Sequence, residues 1–331
     1  MSGSGRAGLV SVVVPSYNHA EFLAKRMDSL LRQTYGNLEI LVIDDCSTQD
    51  NVAILRTYEQ QSQVRLLLHQ KNTGLVPVMN QGIEQTAGEY ILFAQCDDDC
   101  EPQMIERLVQ SLREHPSAGI AFCRSLMIDA SDHVLGDDFS FREPAFRIRC
   151  ATDTLLKGEE MARFLFHSCV IPNMSALMIR RDCFDTLGLL AVDYAVCVDW
   201  EFFFRVSTRY DTCYVAQPLN KFRQHAATVR STAKGLVTYE EFFKVLLTNI
   251  RSSSWHLSFS ERCRFRTRVM YLWSHHLVTQ PWAGIRNIRS HLMCILRLDP
   301  LALLFAAPGA VTLLAAAARR LVGGATQTRI A

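Results

Sequence analysis

Residues 9–14, Leu-Val-Ser-Val-Val-Val, form a nearly continuous apolar, β-branched run that Pro15 closes. A strand with one wet face alternates apolar and polar residues. A run apolar on both faces needs cover on both sides, as in a parallel sheet flanked by helices. The chain keeps to that plan. Phe22, Met27, Leu30 and Leu31 mark one face of a helix expected over residues 19–33, and Glu39-Ile40-Leu41-Val42-Ile43 is a second strand ending in Asp44-Asp45. A helix near residues 51–60, a strand over 64–68, a helix over 75–85 and a strand over 90–94 follow, and the last leads into Cys96-Asp97-Asp98-Asp99. Pro102 is expected as a first-turn proline of a further helix. Strand, helix, strand, helix with short connections predicts an α/β fold with a mostly parallel sheet and helices on both faces.

Such sheets bind ligands beyond the carboxyl ends of their strands. The acidic clusters Asp44-Asp45 and Asp97-Asp98-Asp99 both fall there. Three adjacent carboxylates repel one another, so a cation or other positive partner is expected among Asp97, Asp98 and Asp99. The plain alternative is a solvated acidic turn. A nucleotide-binding oxidoreductase would need a glycine-rich turn after the first strand, where this chain has Pro15-Ser16-Tyr17-Asn18, and a phosphate-binding Gly-Lys-Ser/Thr loop is missing.

Farther on, residues 129–138 are expected as a loop or hairpin, 158–167 as a helix, 175–179 as a strand and 199–208 as a helix with Phe202, Phe203 and Val206 inward. From about Gly235 the pattern is helical throughout. We therefore divide the chain into a disordered N-terminus (1–8), an α/β domain (9–235) and a C-terminal helical region (236–331). From Arg251 onward there are eleven arginines, no lysine and only two acids, Glu261 and Asp299, in a chain whose net charge is +2, so the front is acidic. These arginines sit among Leu, Trp and Phe, which fits an anionic membrane surface better than nucleic acid. The apolar stretch 301–318 is broken by Pro308-Gly309 and followed by Arg319-Arg320; it is short for a straight crossing, so an in-plane or re-entrant helix is expected. A helical cap packed on the α/β domain is the alternative. Eleven cysteines lie scattered without a Cys-x-x-Cys pair, and residues 1–8 lack the apolar core of a signal peptide. Reduced thiols, some of them packing residues, and a cytoplasmic location, at the inner face of the cell membrane, are expected.

The ordered series Val12-Val13-Val14-Pro15-Ser16-Tyr17-Asn18, Ile43-Asp44-Asp45-Cys46-Ser47-Thr48, Asn72-Thr73-Gly74 with Asn80 and Gly82, then Gly88-Glu89-Tyr90 and the acidic triplet, resembles the family 2 glycosyltransferases over residues 9–228. The resemblance implies the GT-A fold, a Rossmann-like nucleotide-diphospho-sugar transferase architecture. It also implies inverting, metal-assisted transfer of a single sugar from a UDP-, GDP- or dTDP-sugar to a glycan or lipid-linked acceptor, in cell-surface glycan or polysaccharide synthesis. Pro15 and Tyr17 would touch the nucleoside, with the Tyr17 ring free to stack. One of Asp44 and Asp45 would accept from base or ribose, with the choice open. Asn72, Gly74 and Asn80 would lie beside the diphosphate.

The family's metal motif is Asp-x-Asp-Asp with a proline five residues after the second acid. Counting back from Pro102 makes Asp97 the principal ligand of Mn²⁺ or Mg²⁺ and puts neutral Gln95 in the first acid's place. A second register takes Asp97 and Asp99. Asp98 would serve the donor. The lead-in Ser175-Ala176-Leu177-Met178-Ile179-Arg180-Arg181 points to Asp199 as general base, with Val198 where the family carries another acid and a helix N-cap as the plain reading of Asp199. Phe222-Arg223-Gln224-His225 would turn Arg223 and His225 to the diphosphate, with His225 a further metal ligand. Trp200 either lines the acceptor pocket or packs. Gln95 and Val198 also admit a degenerate homologue that binds a nucleotide sugar or a partner without turnover. A nucleotidyltransferase would start with a glycine-rich basic loop, and a processive synthase would carry Gln-x-x-Arg-Trp and flanking transmembrane helices; neither pattern is present.

Overall fold

The computed structural model describes residues 6–48, 50–225 and 235–312. The chain divides into two compact units, residues 1–232 and 233–331. The first unit runs β1 (Arg6–Ser16), α1 (Ala20–Leu31), β2 (Leu38–Asp44), α2 (Asn51–Arg56), β3 (Val64–Leu68), α3 (Leu75–Glu84), β4 (Gly88–Phe93), β5 (Asp99–Cys100), α4 (Met104–Glu114), β6 (Ala118–Ile128), β7 (Val134–Asp137), α5 (Pro144–Arg149), β8 (Thr154–Leu156), α6 (Gly158–His167), β9 (Leu177–Arg180), α7 (Arg181–Leu187), α8 (Val198–Ser207) and β10 (Asp211–Arg223). The second unit contains α9 (Gly235–Arg251), α10 (Phe259–Thr279) and α11 (Pro281–Leu298), then a 3-10 turn at Pro300–Phe305.

One sheet organises the first unit, in the order β3-β2-β1-β4-β9-β6-β10-β5. β1 is parallel to both β2 and β4, with Val13 opposite Leu41 on one side and Phe93 on the other. β10 is parallel to β6, while β9 runs antiparallel between β4 and β6. The expected mostly parallel sheet is therefore present. Val10, Val12 and Val14 of β1 are fully buried against Leu23, Met27 and Leu30 of α1, and the same core takes in Ile105, Leu108 and Leu112 of α4. Burial on both sides is why β1 reads as an unbroken apolar run.

Three local expectations change. Residues 6–8, placed with a disordered N-terminus, are the first rungs of β1: Arg6 N donates to Ala87 O, Gly8 N to Glu89 Oε2, and the Tyr35 hydroxyl to Gly8 O. Residues 1–5 lie outside the described residues. Pro102 sits in the turn before the N-cap Gln103 of α4, not inside its first turn, and its carbonyl accepts from Thr34 N at 2.9 Å. Residues Met174–Ala176 form a 3-10 turn, so β9 starts only at Leu177. Of the apolar stretch 301–318, residues 313–318 and the following Arg319-Arg320 lie outside the described residues.

α3 lies close on β1 because Gly82 has no side chain: a Cβ there would come within 2.3 Å of Val13 Cγ1. Gly82→Ala is expected to cost about 1–3 kcal/mol of stability through overpacking, read as a lower urea midpoint. An unchanged midpoint would contradict this close approach.

Candidate active site

β1 and β4 are neighbours from which the sheet continues in opposite directions, the arrangement that opens a crevice at the strands' carboxyl ends. The chain leaves β1 through Tyr17-Asn18-His19, β4 through residues 94–98, and β10 through Gln224-His225. These exits bring His19, Asp97 and His225 together, with one ligand atom of each within 4.8 Å of the others. His225 Nε2 lies 2.9 Å from Asp97 Oδ2, and the two imidazoles meet edge to face at 5.3 Å. Burial alone would raise the Asp97 carboxyl; the His225 hydrogen bond and the charge of His19 hold it below its ordinary value. The same hydrogen bond lifts His225 above its usual value against the effect of burial.

His19 was not singled out from sequence, where a lone histidine at a helix start carries no periodic signal. Its Nδ1 sits 2.8 Å from Tyr17 O, while Nε2 is buried with no hydrogen-bond partner. An unpartnered nitrogen beside a carboxylate and a second imidazole fits a divalent cation.

The other two acids of the triplet turn away. Asp98 is buried, accepting from Arg223 N at 2.9 Å and lying 3.4 Å from Asn173 Nδ2. Burial and the charge of Asp97 push it up to about 7, against the pull of buried Arg26. It is an interior group and not a donor contact. Asp99 heads β5, opposite Lys221, and pairs with Lys221 and Lys25 at 3.5 and 3.7 Å. Its charge is met by lysines, so the register taking Asp97 and Asp99 as joint ligands is not supported by the geometry.

Arg223 is also spent inside. Its guanidinium donates to Asp97 O, Asp129 O and Asp132 Oδ1, each at 2.7 Å, and lies over the Phe22 ring. It braces the Asp97 turn from within and does not face the mouth. Asn80 likewise exchanges both amide hydrogen bonds with the Leu190 main chain, tying α3 to a loop 110 residues away, so it is no diphosphate ligand. Trp200 is buried with Nε1 donating to Leu165 O, a packing role.

Asp44 and Asp45 are both buried. Asp44 accepts from Ser16 Oγ and from Ser47 N and Oγ. Asp45 accepts from Thr73 N and Oγ1 and Gly74 N, with His69 Nδ1 2.8 Å away. These bonds clamp the loops after β1, β2 and β3 at one level. The roles of Ser47, His69 and Thr73 were not read from sequence, since nothing local announces them. Burial would raise Asp45, but the bonds from His69, Thr73 and Gly74 hold it below its ordinary value. Asn72 Nδ2 donates to Asp45 O at 3.3 Å on the rim. Pro15 is the last residue but one of β1, opposite Ile43, and Tyr17 is 43% exposed at the mouth.

Asp199 stands in the first turn of α8, two residues past the N-cap Cys197, and its Oδ1 accepts from Trp200 N. It is therefore not the N-cap of that helix. The adjacent Val198 is buried.

Residues 11–188, more than half of the chain, match the sequence profile described as Glycosyl transferase family 2. The chain belongs to this family. GlyA, a glycosyltransferase of Streptococcus pneumoniae serotype 4, is 31% identical over 189 residues, covering 56% of this chain and 27% of GlyA. The chain thus spans about a quarter of that relative's length. Staphylococcus aureus TarS, crystallised with UDP-GlcNAc, superposes with a TM-score of 0.67 over 98% of this chain and 94% of that one, at 15% identity. The mannosyltransferase PcManGT of Pyrobaculum calidifontis, crystallised with GDP-Man and Mn²⁺, gives a TM-score of 0.55 over 94% of this chain and 86% of that one, at 14% identity. These likenesses are of fold, and they place this family 2 chain in the GT-A architecture expected from its sequence.

Asp45→Asn removes a carboxylate serving several donors and is expected to cost about 2 kcal/mol at neutral pH, the scale of charge-assisted hydrogen bonds. Because the folded-state value is depressed, this contribution is fully present above the ordinary carboxyl value of 3.8 and is lost as pH falls through the lower folded value. The gap between the two proteins' denaturation midpoints should hold steady down to about pH 4 and narrow only as pH falls further. A constant gap would contradict the clamp.

Proposed function

We propose that this family 2 member is an inverting glycosyltransferase, moving one sugar from a nucleotide-sugar donor to the hydroxyl of a glycan or lipid-linked acceptor. The observation that carries this reading is the Asp97 carboxylate between two imidazoles at the sheet's crevice. Asp97 and His225, with His19, would hold Mn²⁺ or Mg²⁺, which offsets charge developing on a departing diphosphate. The exposed Tyr17 ring would stack on the base. Arg223 and the Asp45 clamp keep the three loops in register without touching the donor themselves. Asp199, in the first turn of α8, takes the proton of the acceptor hydroxyl as that oxygen attacks the anomeric carbon. Attack opposite the leaving diphosphate inverts that carbon in a single displacement. UDP-GlcNAc in TarS and GDP-Man in PcManGT support a uridine or guanosine nucleotide as donor, with dTDP-sugars completing the panel to test.

The neutral Gln95 and the buried apolar Val198 favour, as a second reading, a homologue that binds a donor without transferring it. One experiment separates the two. Wild type is expected to melt higher with one of UDP-, GDP- or dTDP-sugars only when Mn²⁺ is present, and to release nucleotide when an acceptor is supplied. Asp97→Ala should lose both properties. Asp199→Ala should keep the melting shift while transfer falls by about 100-fold or more. Full transfer in either variant contradicts the catalytic assignment, and a shift without any transfer in wild type supports the binding-only reading.

A further inference from the structure

We propose that His19 is a protein ligand of the cation and that the resulting two-imidazole, one-carboxylate set selects Mn²⁺ over Mg²⁺. This rests on the metal-assisted reading above and deepens it. Gln95 offers no charge two residues before Asp97, so the β4 exit supplies a single anionic ligand atom pair at Asp97. The missing donor comes from the β1 exit. His19 has its Nδ1 within 2.8 Å of the Tyr17 carbonyl, which cannot donate, so Nδ1 carries a proton and, in the neutral ring, Nε2 carries the lone pair. That tautomer, fixed by a main-chain carbonyl, is the arrangement by which ligating histidines are oriented. Nε2 is buried and meets no other hydrogen-bond partner. A ring nitrogen of His19, a carboxylate oxygen of Asp97 and a ring nitrogen of His225 all lie within 4.8 Å of one another. Two donors about 2.2 Å from one ion are at most about 4.4 Å apart, so little closure is required. Mg²⁺ prefers an all-oxygen octahedron and keeps its waters, whereas imidazole nitrogen favours the later first-row ions.

The test is titration of the full chain with Mn²⁺ alone, following the free-ion electron paramagnetic resonance signal, with Mg²⁺ as competitor. Wild type should bind Mn²⁺ at least tenfold more tightly than Mg²⁺. His19→Ala should weaken Mn²⁺ by at least tenfold and Mg²⁺ by less than threefold, and His19→Gln should behave alike while keeping the side chain's bulk. Spin-echo modulation of bound Mn²⁺ should show two imidazole nitrogens in wild type and one in His19→Ala. Equal Mn²⁺ affinity in wild type and His19→Ala, with loss in Asp97→Ala, would overturn the role of His19 and leave the proposed function standing. No Mn²⁺ binding by folded wild type would overturn both.

A separate observation in the second unit carries a second proposal: we infer that α11 docks on an anionic membrane surface. Its inner face is built from His291 and Ile295, both fully buried, with Ser290 bonded to Glu240 of α9. Its outer face exposes Trp282 (82%), Ile285, Met293 and Leu296, interleaved with exposed Arg286, Arg289 and Arg297. The helix contains no acid. Apolar side chains flanked by arginines, with no negative charge, suit an in-plane helix among anionic headgroups. Leu301 and Leu304 of the following 3-10 turn are exposed as well. Among the described residues no single helix is long and apolar enough to cross a membrane, and the pair Gly284–Leu298 and Pro300–Thr312 is bent by 118°.

Flotation of the full chain with phosphatidylcholine vesicles, with and without phosphatidylglycerol, tests this. Wild type should float at least tenfold more with the anionic vesicles. Trp282→Ser with Ile285→Ser, and separately Arg286→Gln with Arg289→Gln, should each lose most of that binding while circular dichroism stays unchanged. Equal flotation of wild type and both variants, no flotation of wild type, or a dimer in which this face is covered would overturn the proposal.

Discussion

Parallel pairing of β1 with β4, and of β10 with β6, is the constraint on which the site depends. Val13 opposite Phe93 puts the exits of β1 and β4 side by side, so the loops bearing His19 and Asp97 start from one level. β10 ends at Arg223 opposite Ile128 of β6, and two residues later His225 reaches Asp97 across 128 positions of sequence. A one-residue slip in either pairing would turn these side chains to the other face. The polar clamps of Asp44, Asp45 and Arg223 hold the connecting loops against that slip.

Charge separation within the Asp97-Asp98-Asp99 triplet follows from the same geometry. Successive side chains leave the backbone in different directions, so three like charges that would repel in a single mouth enter three environments. Asp97 meets imidazoles, Asp98 goes into the interior near buried Arg26, and Asp99 meets two lysines at the short β5 rung. Only Asp97 remains at the crevice with nitrogen donors around it. The cluster thus contributes one carboxylate to the site, and the other two hold the turn that presents it.

Much of the first sheet was legible because its strands are long apolar runs punctuated by Pro15, Asp44-Asp45 and the acidic triplet. β6 was not, since Ala118, Gly119, Ala121 and Cys123 are small residues with little strand character, although the strand lies in the middle of the sheet. At the site, the meeting of Asp97 with His225 could be read from an ordered set of motifs. The direction each acid turns, and the partners of Asn80, Arg223 and Trp200, could not. Those residues spend their polar atoms on main-chain groups dozens of residues away, and such contacts leave no local pattern. His19 escaped for a similar reason: its neighbours Asp97 and His225 lie just past the ends of two other strands, far away in sequence.

We infer that the exits of β1, β4 and β10 form a single cation and diphosphate site. Diffraction at the manganese edge, from crystals soaked with Mn²⁺ together with UDP or GDP, tests it most directly. One anomalous peak is expected at ligand distance from Asp97, with the diphosphate against it and the base towards Tyr17. A nucleotide seated away from these strand ends, or a peak with Asp97 outside its coordination sphere, would contradict it.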